Sequence, residues 1–187
     1  MRKIVTSMML AAGLLATNLT QTSAQNYEQG SKLLNVGIGL GSTFTAAGLN
    51  STLPPIGLSL EYGLTDKISV GGYLGYAGAS QEVPTFFGTW KWNYSYIIVG
   101  ARGSYHFDLG VDKLDPYIGA LVGYNVASVT SEKPAGYTGP ELTGAAAGGV
   151  VIGGHLGARY MFTEKIGAFA ELGYGVAYLQ LGLAAKF

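Results

Sequence analysis

The chain has 187 residues, with 11 basic and 11 acidic side chains, no net formal charge and no cysteine. The missing cysteine excludes disulfide staples and a lipidated N-terminus, and no basic stripe is present to serve a nucleic-acid partner. Only 12% of residues are charged, against about 25% in soluble domains, while glycine and tyrosine are plentiful.

The N-terminus reads as an export signal. Arg2 and Lys3 precede an apolar run from Met8 to Ala16, and a polar stretch ends in Thr22-Ser23-Ala24. Basic, apolar and small residues in that order predict a secretory signal peptide over residues 1–24, cleaved after Ala24. The apolar run is too short for a spanning helix of about 20 residues. Residues 25–187 then form a single domain without a helical span. An exported, low-charge chain of that kind has one other way to sit in a bilayer, a closed β-barrel.

Alternating apolar positions predict eight strands. Residues 25–31 read as a loose polar lead. The first strand covers 32–41, with Leu34, Val36, Ile38 and Leu40 on one face and Asn35 and glycines on the other. A loop over 42–55 closes on Pro54-Pro55. The second strand alternates Ile56, Leu58, Leu60 and Tyr62 with Ser59 and Glu61. After the turn at Thr65-Asp66-Lys67, the third carries Ile68, Val70, Leu74 and Tyr76. Residues 77–91 read as a second loop bearing Phe86, Phe87 and Trp90. The fourth strand, 92–107, is regular in its second half. In its first half Tyr94, Tyr96 and Ile98 share the parity of Arg102, which a bulge or an aromatic rim above the membrane would explain. Residues 108–115 form a polar turn, and the fifth strand covers 117–128. The longest loop spans 129–145, and the sixth strand 149–162. Thr163-Glu164-Lys165 turns into the seventh strand, and a short turn near Gly175 leads into the last, which ends at Phe187.

Short turns follow strands two, four and six, and the first three connections at the other end are long, the final one near Gly175 being a short exception. This is the pattern of a membrane barrel with its short turns in the periplasm. The fold expected is an all-β, eight-stranded, antiparallel up-and-down transmembrane barrel. Four charges fall mid-strand, Glu61, Arg102, Arg159 and Glu171, each on the face spaced by Gly or Ser. An Arg facing lipid at the midplane would cost about 2–4 kcal/mol. All four therefore belong inside, as two acids and two arginines that can pair. An eight-stranded barrel is just wide enough for side chains to fill, so the lumen is expected to be plugged. Tyr62, Tyr76, Tyr105, Tyr117, Tyr160 and Tyr174 near strand ends suit interfacial girdles, with Tyr73 and Phe169 interior.

The leader, the Gly100-Ala101-Arg102 and Gly157-Ala158-Arg159 strands, the Glu171-Leu172-Gly173-Tyr174-Gly175 run and the Gly182-to-Phe187 ending resemble the small outer-membrane β-barrel family of Gram-negative bacteria, similar to OmpX and the barrel domain of OmpA. The resemblance implies location in the outer membrane among its lipids. It implies a terminal Phe187 that acts as the insertion signal read by the barrel-assembly machinery, and a structural or surface-interaction role with porin-like alternatives. The external ligand is left open.

No enzyme site is legible. His106 and His155 fall on the interior face by parity, no Gly-x-Ser-x-Gly occurs, and two histidines with scattered acids are too few for a metal centre. The reading is of a protein that is not an enzyme and carries no cofactor. The alternatives are a narrow channel for small or hydrophobic solutes, as in the similar OmpW group, and a lipid-modifying enzyme. A secreted lipocalin-like carrier, hinted at by Gly88-Thr89-Trp90, would place the four charges outside.

Overall fold

The computed structural model describes residues 27–44 and 49–187. The expected signal peptide, with its cleavage after Ala24, lies outside them. Every regular element among the described residues is a strand: β1 (Lys32–Ser42), β2 (Asn50–Gly63), β3 (Ile68–Thr85), β4 (Gly88–His106), β5 (Leu114–Glu132), β6 (Gly149–Met161), β7 (Ile166–Gly173) and β8 (Ala177–Lys186). Each pairs antiparallel with its sequence neighbour, and β8 returns to β1, so the sheet closes on itself. Closure leaves no edge along the paired wall, which a bilayer demands because hydrocarbon offers backbone groups no partner.

Alternation along the strands sorts the side chains as the parity argument requires. Val36, Ile38, Leu40, Leu58, Leu60, Val99, Val122, Ile152, Leu156, Leu181 and Leu183 are exposed on the outside, Ile152 to 72%. Glu61, Arg102, Arg159, Glu171, His106 and His155 are buried inside. In water this distribution would be inverted; around a barrel it is the distribution that hydrocarbon selects. Aromatic rings collect at both ends of the apolar band. Tyr105 packs on Phe107 and Tyr160 on Phe162 near the short turns, and Tyr174 packs on Tyr178 at the opposite rim. Tyr73 and Phe169 are interior. Tyr117 is interior too, fully buried rather than part of a girdle. Its neighbours Pro116 and Ile118 take the outward parity.

Several connections are strand rather than loop. Residues 77–91 are not a loop: β3 and β4 stay in register up to Thr85 opposite Gly88, joined by the two residues Phe86 and Phe87. The first half of β4 contains no bulge, since its pairing with β5 runs unbroken from Lys91 to His106. Its aromatics simply continue the interior face beyond the membrane. Pro54-Pro55 lie within β2, where the register with β3 shifts between Ser51 and Ile56 because proline offers no N–H to the ladder. With 18, 19 and 19 residues, β3, β4 and β5 outrun the 9–11 residues that cross a bilayer. They rise from the wall as a three-stranded blade.

Glycines on the interior face make room for the long side chains. A Cβ on Gly157 would come within 2.6 Å of the Tyr117 ring and 2.9 Å of the Ala170 carbonyl, whereas one on the outward-facing Gly72 would meet only the Gly100 carbonyl, at 4.0 Å. Gly157→Val is expected to lower unfolding stability by about 1–3 kcal/mol through overpacking. Gly72→Val should leave it nearly unchanged. Urea unfolding of the two variants in lipid checks the pair.

Candidate functional site: the lumen and its two seals

The four charges singled out by parity meet in the lower half of the lumen, on the side of the short turns. Glu61 of β2 is the hub. Its Oε1 accepts a hydrogen bond from Arg159 Nη2 at 2.8 Å, and Arg102 Nε lies 3.4 Å from the same oxygen as an ion pair without hydrogen-bond geometry. Its Oε2 accepts from the Ser69 and Ser104 hydroxyls, both at 2.7 Å. Arg102 of β4 grips Glu171 of β7 with two nitrogens, at 3.3 and 2.7 Å, and the Tyr117 hydroxyl donates to the same carboxylate at 2.9 Å. Arg159 of β6 also donates to Asn35 of β1 and Asp115 of β5, and its guanidinium carbon sits 4.1 Å over the Tyr117 ring. One guanidinium therefore ties β6 to β1, β2 and β5 across the barrel.

Asp115 is the member that sequence reasoning missed. It is not in a polar turn but is the second residue of β5, buried and facing inward. Two arginines thus face three carboxylates, and the four-residue pairing was incomplete. Asp115 Oδ1 also lies 2.6 Å from His106 Nδ1, and His106 Nε2 lies 2.9 Å from Ser69 Oγ. Ser69, His106 and Asp115 thus stand in the order of a catalytic triad, a grouping the linear sequence gave no reason to connect. Ser69 differs from an activated nucleophile in two ways: it is fully buried, and a carboxylate takes the hydroxyl hydrogen bond that a nucleophile gives to its imidazole. Ser104 repeats the arrangement with His155, at 2.9 Å, and likewise donates to Glu61. Among the described residues no group of His, Asp or Glu is placed to hold a metal ion.

The lead enters the lower mouth. Residues 25–31 read as loose, yet Tyr27 is buried inside the barrel, stacked on His106 with ring centroids 3.6 Å apart and 4° between planes. The backbone holds it there: Gly30 donates to the Gly63 carbonyl, Gly63 to that of Ser31, and Gln29 to the Asp66 carboxylate. Burial, reinforced by the carboxylates of Asp115 and Glu61, pushes the Tyr27 phenol up to about 12, so the plug stays neutral. Nearby, Phe187 and Lys32 exchange backbone hydrogen bonds across the seam of β1 and β8, and the Phe187 ring is exposed at the rim.

Above the ion pairs the lumen turns apolar. Tyr73, Ala77, Ile98, Leu121, Val151, Val176 and Ala177 form a buried cluster. The Tyr73 hydroxyl is tied to Gln180 and to the Val176 backbone. The void between the two layers, bordered by Tyr73, Arg102, His155 and Glu171, is about 10 Å³, room for at most one water. Above the apolar layer, among the described residues, an open cleft of about 480 Å³ is lined by Thr43, Phe44, Tyr96, Asn125 and Val151 and reaches the outward-facing Val150 and Ile152.

No protein-family model and no curated protein matches the chain. Among solved structures it is similar to the outer membrane protein OprG from Pseudomonas aeruginosa, at 15% identity over 88% of this chain and 99% of that one, with a TM-score of 0.58. The N-terminal β-barrel domain of Pseudomonas aeruginosa OprF shares 19% identity over 86% and 99% of the two chains, with a TM-score of 0.48. Ail of Yersinia pestis shares 11% over 84% and 95%, with a TM-score of 0.42. The OprG likeness speaks to the fold: a small, closed, eight-stranded barrel of the outer-membrane type.

Removing either arginine strands a buried carboxylate, which typically costs about 3–5 kcal/mol. Arg159→Ala, with its four partners, should destabilise more than Arg102→Ala, and both should lower the temperature at which the folded band is lost on a heat-modifiability gel. Unchanged migration temperatures would contradict the ion-pair account. The burial of both serines against Glu61 gives a second expectation: a fluorophosphonate probe should leave Ser69 and Ser104 unlabelled in the folded barrel.

Proposed function

We propose that the chain is an outer-membrane barrel whose lumen is closed and whose role is structural or one of surface interaction. The observation that carries this reading is the double seal: an ion-paired layer floored by Tyr27, with an apolar layer above it. The void between them holds at most one water. The outward apolar band and the girdles support residence in a bilayer, and the fold shared with OprG supports the outer membrane as that bilayer. On this reading outer-membrane lipids contact the aliphatic face, and Phe187 at the closing seam is the residue the assembly machinery reads during insertion. The blade of β3, β4 and β5 is what the molecule presents to the exterior.

The mouth cleft favours a second reading, a narrow route for a small neutral solute. No charged residue lines that cleft, and its volume suits a small ligand. The layers beneath it would have to part for anything to pass.

Planar bilayers separate the two readings. The closed-barrel reading expects purified protein to show no conductance steps, and to remain silent after removal of residues up to Tyr27, since the apolar layer persists. Discrete steps in the intact protein would overturn it. For the insertion role, deletion of Phe187 should lower the amount of folded protein recovered from outer membranes, while leaving refolding into detergent largely intact.

A further inference from the structure

The tip of the blade breaks two rules at once. Its turn residues are Phe86 and Phe87, at a place where Gly, Asn or Asp is usual, and Phe86 is 98% exposed. Gly88 takes a φ of +115°, which lets the two phenylalanines keep ordinary backbone angles. The rings are held in place rather than trailing. Phe86 packs edge-on to Phe87, Phe87 touches Tyr137, and Tyr137 stands edge-on to Trp90, which stacks toward Trp92. Trp90 is buried behind this group, and a side chain at Gly88 would meet Pro134 at 2.7 Å. The stretch from Val83 to Trp90 carries no charge; Glu82 and Lys91 face each other across the hairpin, Glu132 stands opposite Lys91 on β5, and Lys133 precedes the Pro134 that abuts Gly88, so the two acids and two lysines around the tip balance.

We propose that this tip inserts into an apposed lipid surface, zwitterionic or neutral, with Phe86 and Phe87 entering the acyl boundary and Trp92 and Tyr137 at headgroup level. The proposal rests on the surface-interaction reading and names its partner. Three features favour lipid over protein. The tip is convex and presents two side chains, far less than the roughly 800 Å² per partner of a stable protein interface. Its charge is balanced, so it has no electrostatic partner to seek. Tryptophan and tyrosine directly behind an apolar point reproduce the order in which side chains cross a membrane interface. β3 runs on nine residues past the girdle position Tyr76, about 30 Å of strand, so the surface engaged is not the bilayer that holds the barrel. A single tip binds weakly, and many barrels in one membrane act together.

Trp90 and Trp92 are the only tryptophans in the chain, so their emission reports on the tip alone. The full chain, held in nanodiscs of unbrominated lipid, is mixed with phosphatidylcholine vesicles whose acyl chains are brominated. The proposal expects quenching of tryptophan emission and co-flotation with the vesicles. F86S/F87S should weaken both by at least tenfold, in line with the transfer free energy of an exposed Phe side chain, and F86L/F87L should retain them. Both residues are exposed, so the serine variant should keep the heat-modifiable band of the folded barrel. Emission unchanged by vesicles, equal binding by the serine variant, or tip-dependent self-association in place of flotation would each overturn the proposal. Silent bilayer recordings alongside such a failure would leave the closed-barrel reading standing.

Discussion

A single carboxylate, that of Glu61, holds the middle of this molecule together. It is buried on every side, and it survives there because two guanidiniums and two hydroxyls converge on its two oxygens. In a soluble protein such a cluster would compete with the option of an apolar core. Here the apolar side chains are already claimed by the hydrocarbon outside. Alternation forces every second residue inward, and a narrow tube must be filled by what remains. Polar side chains bonded to one another fill it at the least cost, and they link strands far apart in sequence: Asn35, Glu61, Asp115 and Arg159 lie on four different strands.

Much of this was legible from residue order because the barrel imposes a period of two over nearly the whole chain. Glu61, Arg102, Arg159 and Glu171 could be placed by parity alone, and so could the two histidines. What escaped lies where that period is interrupted or masked. Asp115 sits beside Asp112 and Lys113 and just before Pro116, a composition that reads as a turn. Only its parity with Tyr117, Leu121 and Asn125 signals the inward face. Tyr117 stands at a strand end, where a girdle ring is expected, yet its parity is that of the buried set. Tyr27 has no periodic context at all, since one tyrosine in a polar lead carries no information about the pocket beneath His106. The tip of the blade, residues 77–91, has the composition of a loop, since Gly, Pro and exposed aromatics usually mark loops, whereas here β3 and β4 support each other beyond the membrane.

The structure divides the labour along the axis. The half nearest the short turns is ionic, the middle is apolar, and the outer end carries the irregular features: a cleft, a long loop after β5 and a projecting hairpin. Stability is concentrated where no partner can reach. The residues least explained by stability, Phe86 and Phe87 above all, are those farthest from the core. That separation lets the outer end vary without loss of the fold.

The strands also differ in height. β7 and β8, with 8 and 10 residues, barely cross a bilayer, while their counterparts on the opposite wall are about twice as long. The upper rim therefore has the profile of a chair, with a high back and a low front at the level of the lipid headgroups. Whatever visits the mouth from the front travels in the plane of the membrane, past Tyr174 and Tyr178. From the back it meets a wall of β-sheet. A barrel built from eight near-equivalent staves has in this way acquired a direction.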